Sequence, residues 1–189
     1  MLTKLDKKFN LRKFFDMFVI KINPNYVTLL ALIAAIVAGF LFSIQYVVLG
    51  SLFVLLNGFL DVLDGQIAKK FGTSKLGDFL DHTFDRLADV AIFGGLIFSK
   101  IIPGNLAILT LIIILLVSYL GTQYQAITSE RLYSGFMGRA DRLLMLSIAG
   151  ILYWVYPIIF LLTIGIIFLA SVLTFLQRVF ISYRKIKTL

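Results

Sequence analysis

The chain has 189 residues, of which 60% are hydrophobic and only 15% charged, with a net charge of +8 and no cysteine. Soluble domains average roughly half apolar and about a quarter charged, so these values, with a mean hydropathy of +0.97, exclude a soluble globular domain. Without cysteine there are no disulfides, and redox compartment is unconstrained. The amino terminus shows no signal-type apolar core or small-residue cleavage site, so insertion is expected to rely on the first hydrophobic helix.

In chain order, the first predicted element is amphipathic. Leu11, Phe14, Phe15, Phe18 and Ile22 recur at helical spacing, with Arg12, Lys13, Asp16 and Lys21 mostly elsewhere. That pattern suits a helix lying in the membrane interface or packed on the cytoplasmic face of the domain. Six apolar stretches follow, over about 26–43, 46–67, 79–99, 105–126, 139–156 and 158–181, each near the ~20 residues that cross a bilayer. Tyr156-Pro157 breaks the last run. No internal repeat or linker divides the chain, so one domain over 1–189 is expected, with an interfacial helix over 1–23 and a six-helix bundle over 24–189. The fold class is therefore an all-α integral membrane protein.

Basic residues set the orientation. Lys4, Lys7, Lys8, Arg12, Lys13 and Lys21 precede the first span. Lys69, Lys70 and Lys75 lie between the second and third, and Arg131, Arg139 and Arg142 between the fourth and fifth. Arg184, Lys185 and Lys187 follow the sixth. The opposite turns carry a single lysine, Lys100. By the positive-inside rule both termini face the cytoplasm. The positive charge reads as topology and attraction to anionic membrane lipid, and no nucleic-acid partner is expected.

Six of the ten acidic residues fall between Asn57 and Asp89: Asp61, Asp64, Asp78, Asp81, Asp85 and Asp89. Steps of three and four place such residues on neighbouring positions of a helix face. A single Asp at a membrane helix centre costs roughly 2.5–3.5 kcal/mol, so a group of them needs water or a positive partner. Hard carboxylates from two adjacent helices suit Mg²⁺ or a close relative. A cation transporter could use intramembrane carboxylates in the same way, but it predicts midplane acids and inverted repeats.

The string Asp61-Val62-Leu63-Asp64-Gly65-Gln66-Ile67-Ala68-Lys69, followed by Gly77, Asp81 and Asp85, resembles the signature of the CDP-alcohol phosphatidyltransferases. Four aspartates, both glycines and the alanine match in order. Lys69 stands where arginine is usual, and the gap to Gly77 is one residue short. The resemblance implies phospholipid synthesis in the cell membrane, with the site at the cytoplasmic ends of spans two and three. A phosphatidyl-type group, on diacylglycerol or an archaeal ether lipid, would pass from a CDP-linked lipid to the hydroxyl of a small alcohol, releasing CMP.

It further implies that Asp61, Asp64, Asp81 and Asp85 hold one or two Mg²⁺ ions, with Mn²⁺ able to substitute. Asp85 would also be the general base. CDP-lipid contacts carry over onto Gly65, Lys69, Ser74 and Gly77, and onto Asn25 and Thr28 at the entrance to span one. Helix capping explains Asn25 and Thr28 equally well. Arg139-Ala140-Asp141-Arg142 resembles the segment opening span five in phosphatidylinositol-phosphate synthases, which implies acceptor binding by Arg139 and Arg142; positive-inside anchoring is the plainer reading. Thr122-Gln123-Tyr124-Gln125 lies where those enzymes carry basic residues, so glycerol phosphate or an unphosphorylated alcohol stays open beside inositol phosphate. Asp89 is expected to play a structural part, pairing with Arg86 or with a neighbouring helix. His82 is expected to point away from the Asp81–Asp85 face, and without a second His or Cys it makes no zinc site. The resemblance also implies a homodimer.

Overall fold

A computed structural model describes residues 22–72, 74–130, 132 and 134–187. The amphipathic helix expected over 1–23 falls almost wholly on residues 1–21, outside the described residues. Six helices follow: α1 (Pro24–Ser43), α2 (Val47–Phe71), α3 (Lys75–Phe98), α4 (Gly104–Thr128), α5 (Arg139–Leu152) and α6 (Pro157–Ile186). Each coincides with one of the expected apolar stretches, and no strand occurs among the described residues.

Four helices, α1, α2, α4 and α6, are long and apolar enough to cross a membrane. α3 falls outside that group because its first half carries the acidic motif. α5 falls outside because it stops at Leu152, short of the expected 156. Its 14 residues span only ~21 Å at 1.5 Å per residue. The early stop has a local cause: Pro157 opens α6 and keeps Tyr156 out of the helical region, at φ −136° and ψ 80°, so a helix cannot continue through it.

The helices close into a ring. α1 packs against α2 and α3, α2 against α5, α5 against α6, α6 against α4, and α4 back against α3. Small residues bring α1 and α3 together. A side chain added at Gly39 would run into the Ala91 backbone, and one added at Gly95 into the Gly39 backbone. Such close backbone approach is how helices associate where lipid removes the hydrophobic drive between them. Asn57 ties α2 to α1 by donating to the Ala31 carbonyl at 2.8 Å, buried at mid-helix. Phe42, Phe93, Ile114, Leu146, Phe160 and Ile164 fill the centre. This ring turns the ends of α2, α3 and α5 toward one another, which is where the acidic residues gather.

Candidate active site

The functional cluster is built from three helices. α2 supplies Asp61, α3 supplies Asp81, Asp85 and Asp89, and α5 supplies Arg139 and Arg142. One carboxylate oxygen each from Asp61, Asp81 and Asp85 lies within 4.8 Å of the others. Arg139 is inserted among them: its Nη1 stands 2.8 Å from Asp61 Oδ1 and 2.7 Å from Asp85 Oδ1, and its Nε 3.4 Å from Asp89 Oδ1. Below it, Asp89 and Arg142 are sealed at 1% and 3% exposure, with Arg142 Nη2 3.7 Å from Asp89 Oδ2. Arg86 flanks the outer side, 3.6 Å from Asp85. Asp89 thus pairs with a neighbouring helix, through Arg139 and Arg142 of α5.

Asp64 does not join that triad. Residues three apart on a helix diverge by about 60°, so with Asp61 turned to α3 and α5, Asp64 turns toward α1. It is 6% exposed, and its Oδ2 has no hydrogen-bond partner. A buried unpartnered carboxylate oxygen is costly. Among the described residues, five carboxylates here (Asp61, Asp64, Asp81, Asp85 and Asp89) meet three guanidinium groups (Arg86, Arg139 and Arg142). The excess negative charge, the orphaned Asp64 oxygen and the all-oxygen donor set fit a hard divalent cation.

Three cavities converge on this cluster. The first, about 190 Å³, lies between α1, α2 and α3 and reaches the cluster through Asp64 and Asp81. All six residues expected to contact the CDP-lipid line it: Asn25, Thr28, Gly65, Lys69, Ser74 and Gly77. The capping alternative for two of them is corrected. Asn23 caps α1, accepting from the Asn25 backbone N–H at 3.0 Å. Thr28 instead donates to the Pro24 carbonyl at 3.1 Å. Ser74 caps α3, accepting from the Gly77 N–H at 2.9 Å. A side chain at Gly65 would meet no protein atom within 4 Å; it would enter the cavity. Gly65 therefore keeps its part of the wall bare backbone, while a side chain at Gly77 would crowd Ser74 Oγ at 3.1 Å and Asn25 Oδ1 at 3.2 Å.

The second cavity, about 340 Å³, reaches the cluster through Asp85 and Arg139. Arg86, Arg142 and Arg178 complete a basic wall, while Ser118, Thr122 and Gln125 of α4 give a polar one. Arg178 is fixed by donating to the carbonyls of Val117 (2.8 Å) and Ser134 (3.0 Å). Arg86, read from the sequence only as a partner for Asp89, and Arg178 were not expected in the site. An arginine inside a run as apolar as 158–181 was the available signal, since such a charge marks a pathway or partner by default. The expectation for His82 is corrected: it lines this cavity beside Asp85, with its Nε2 3.8 Å from Asp78 Oδ1. The third cavity, about 190 Å³ and mostly apolar, lies between α2 and α5 and reaches the cluster through Asp61, with Leu55, Phe59, Val62, Leu143 and Leu144 on its walls.

A ring of six helices, four of them long and apolar enough to cross a membrane, with carboxylates at the meeting point of a polar, a basic and an apolar cavity, fits a lipid-handling transferase site. The chain belongs to the CDP-alcohol phosphatidyltransferases, whose family model matches residues 21–180. It is a membrane phosphotransferase of phospholipid synthesis, which moves a phosphatidyl-type group from a CDP-linked lipid to a small alcohol. Over 167 residues it is 31% identical to the archaetidylinositol phosphate synthase of Pyrococcus horikoshii, covering 88% of this chain and 86% of that one. The phosphatidylinositol phosphate synthase of Streptomyces avermitilis is 31% identical over 174 residues, 84% of this chain and 71% of that protein. Among solved structures, the Mycobacterium tuberculosis phosphatidylinositol phosphate synthase in complex with manganese and citrate superimposes with a TM-score of 0.75 at 25% identity. That match covers 86% of this chain and 83% of the other. The same enzyme with CDP-DAG bound gives 0.76 at 24% identity, a likeness of fold.

Proposed function

We propose that the chain joins a CDP-linked lipid to a phosphorylated polyol in a reaction dependent on Mg²⁺, with Mn²⁺ as substitute. The carrying observation is the convergence of three cavities on one carboxylate cluster. The polar cavity suits the nucleotide diphosphate, with Lys69 as its cation and Gly65 and Gly77 letting the diphosphate approach backbone. The apolar cavity suits the lipid chains. The basic cavity suits an acceptor phosphate, held by Arg142 and Arg178 with Arg86 beside them, and its α4 wall offers hydrogen bonds to further hydroxyls. That the named relatives are archaetidylinositol phosphate and phosphatidylinositol phosphate synthases supports inositol phosphate as the polyol.

Asp61, Asp64, Asp81 and Asp85 would hold the cation. When bound, it would neutralise the diphosphate and stabilise charge developing on the transferred phosphoryl group. Asp85 alone among the four lines the acceptor cavity. In this reading its carboxylate takes the proton of the acceptor hydroxyl as that oxygen bonds to the lipid-side phosphorus. The bond from phosphorus to the bridging oxygen breaks, and CMP leaves by the polar cavity. The buried Asp89–Arg142 pair holds α3 against α5 so that Asp85 faces the acceptor.

All six helices would cross the membrane, α3 and α5 as members of the ring whose neighbouring helices shield their polar residues, with the termini and the site on the cytoplasmic side. A homodimer belongs to the same reading. An acceptor screen tests the function. Purified chain is given CDP-archaeol or CDP-diacylglycerol with inositol phosphate, glycerol phosphate, inositol or serine, and products are identified by mass. A phosphorylated polyol should give the phospholipid. Efficient transfer to serine or free inositol alone would refute the acceptor reading.

A further inference from the structure

Arg139 has a place that acceptor binding alone does not explain. It opens α5, where the positive end of the helix dipole disfavours a cation. It is nonetheless only 13% exposed, with one nitrogen bridging Asp61 and Asp85 and another turned to Asp89. Two of those three residues belong to the triad whose oxygens converge within 4.8 Å. We propose that Arg139 is an internal counter-cation that competes with the divalent ion for Asp61 and Asp85, and that ion binding turns its guanidinium into the acceptor cavity. This inference rests on the metal reading above.

The argument is electrostatic. A guanidinium at 2.7–2.8 Å from two carboxylate oxygens takes up the lone pairs and the negative potential that an ion would use. Two further positive charges on the same carboxylates would repel it strongly across so short a gap. Its side chain already lines the second cavity, and its position in the first turn of α5 lets it turn there without moving the helix. Asp89 keeps Arg142 as partner after the exchange. The displaced charge would then face the acceptor phosphate. Because coupling between binding sites is reciprocal, ion and acceptor should each tighten the other, while ion and Arg139 oppose.

The test measures Mn²⁺ binding directly, by the paramagnetic resonance of free Mn²⁺, on the full chain in nanodiscs. Arg139→Gln should lower the Mn²⁺ dissociation constant at least about tenfold, and Arg139→Lys should fall between it and the parent. In EDTA the Gln variant should melt below the parent, with a larger rise in midpoint on adding Mn²⁺. Equal or weaker Mn²⁺ binding by Arg139→Gln would overturn the proposal. So would a Gln variant that folds neither with nor without Mn²⁺, since the ion is held to replace the lost charge. Absence of Mn²⁺ binding by the parent is the separate result that would sink the metal reading itself.

Discussion

Removing Asp89 isolates the energetics beneath the site. At 1% exposure, Asp89 is the one carboxylate within ion-pair distance of Arg142 among the described residues, and Arg142 is itself only 3% exposed. Asp89→Leu leaves a buried guanidinium unpaired, a loss of roughly 3–5 kcal/mol. At about 1.4 kcal/mol per tenfold, that lowers the folding equilibrium by roughly two to three and a half powers of ten. Replacing both partners by apolar groups of similar size is commonly near neutral, so Asp89→Leu with Arg142→Met should recover most of the loss. It should not recover transfer, because Arg142 also lines the acceptor cavity. The assay is reversible unfolding in mixed micelles titrated with sodium dodecyl sulfate, with CMP release followed on the same preparations. A single variant within about 0.5 kcal/mol of the parent, the range of ordinary surface changes, would refute the reasoning. A double variant no more stable than the single one would do the same.

Other consequences follow for the cavities. Lys69→Ala should raise KM for the CDP-lipid, whereas Lys69→Arg should hold or lower it through bidentate contact with phosphate; CMP-release kinetics over a range of lipid concentrations decide. Gly65→Leu should fold normally and lose CDP-lipid binding, because its side chain enters open cavity, while Gly39→Leu should fail to fold, because α1 meets the α3 backbone there; thermal melts with equilibrium lipid binding separate the two. Arg142→Gln and Arg178→Gln should weaken acceptor affinity and spare CDP-lipid affinity, and equal loss of both would point to damaged folding instead. Asp85→Asn should keep CDP-lipid binding and lose about 10²–10⁴ in single-turnover rate, the usual worth of a general base.

The helices were legible because apolar runs and their breaks are local properties. Pro24, Gly72 and Pro157 sit at ends that the structure reproduces within a few residues. The gathering of Asp81 and Asp85 was equally local, since four residues return nearly to the same helix face. What sequence could not convey was the ring order. Only when α5 is known to pack on α2 does Arg139 fall between Asp61 and Asp85, 78 and 54 positions away in number. The separation of Asp64 from Asp61 required knowing that α1 and α5 lie on different sides of α2. Arg178 was masked by the hydrophobicity around it, and its anchoring carbonyls belong to α4 and to the stretch before α5.

The most direct test of the central claim is CMP formation by the purified chain from a CDP-linked lipid and a phosphorylated polyol, with and without divalent cation. It should be run beside Asp61→Asn and Asp81→Asn variants that melt like the parent. CMP release should require both the polyol and Mg²⁺ or Mn²⁺, and should be lost in each variant. Undiminished CMP release in EDTA, or full activity in both variants, would contradict it.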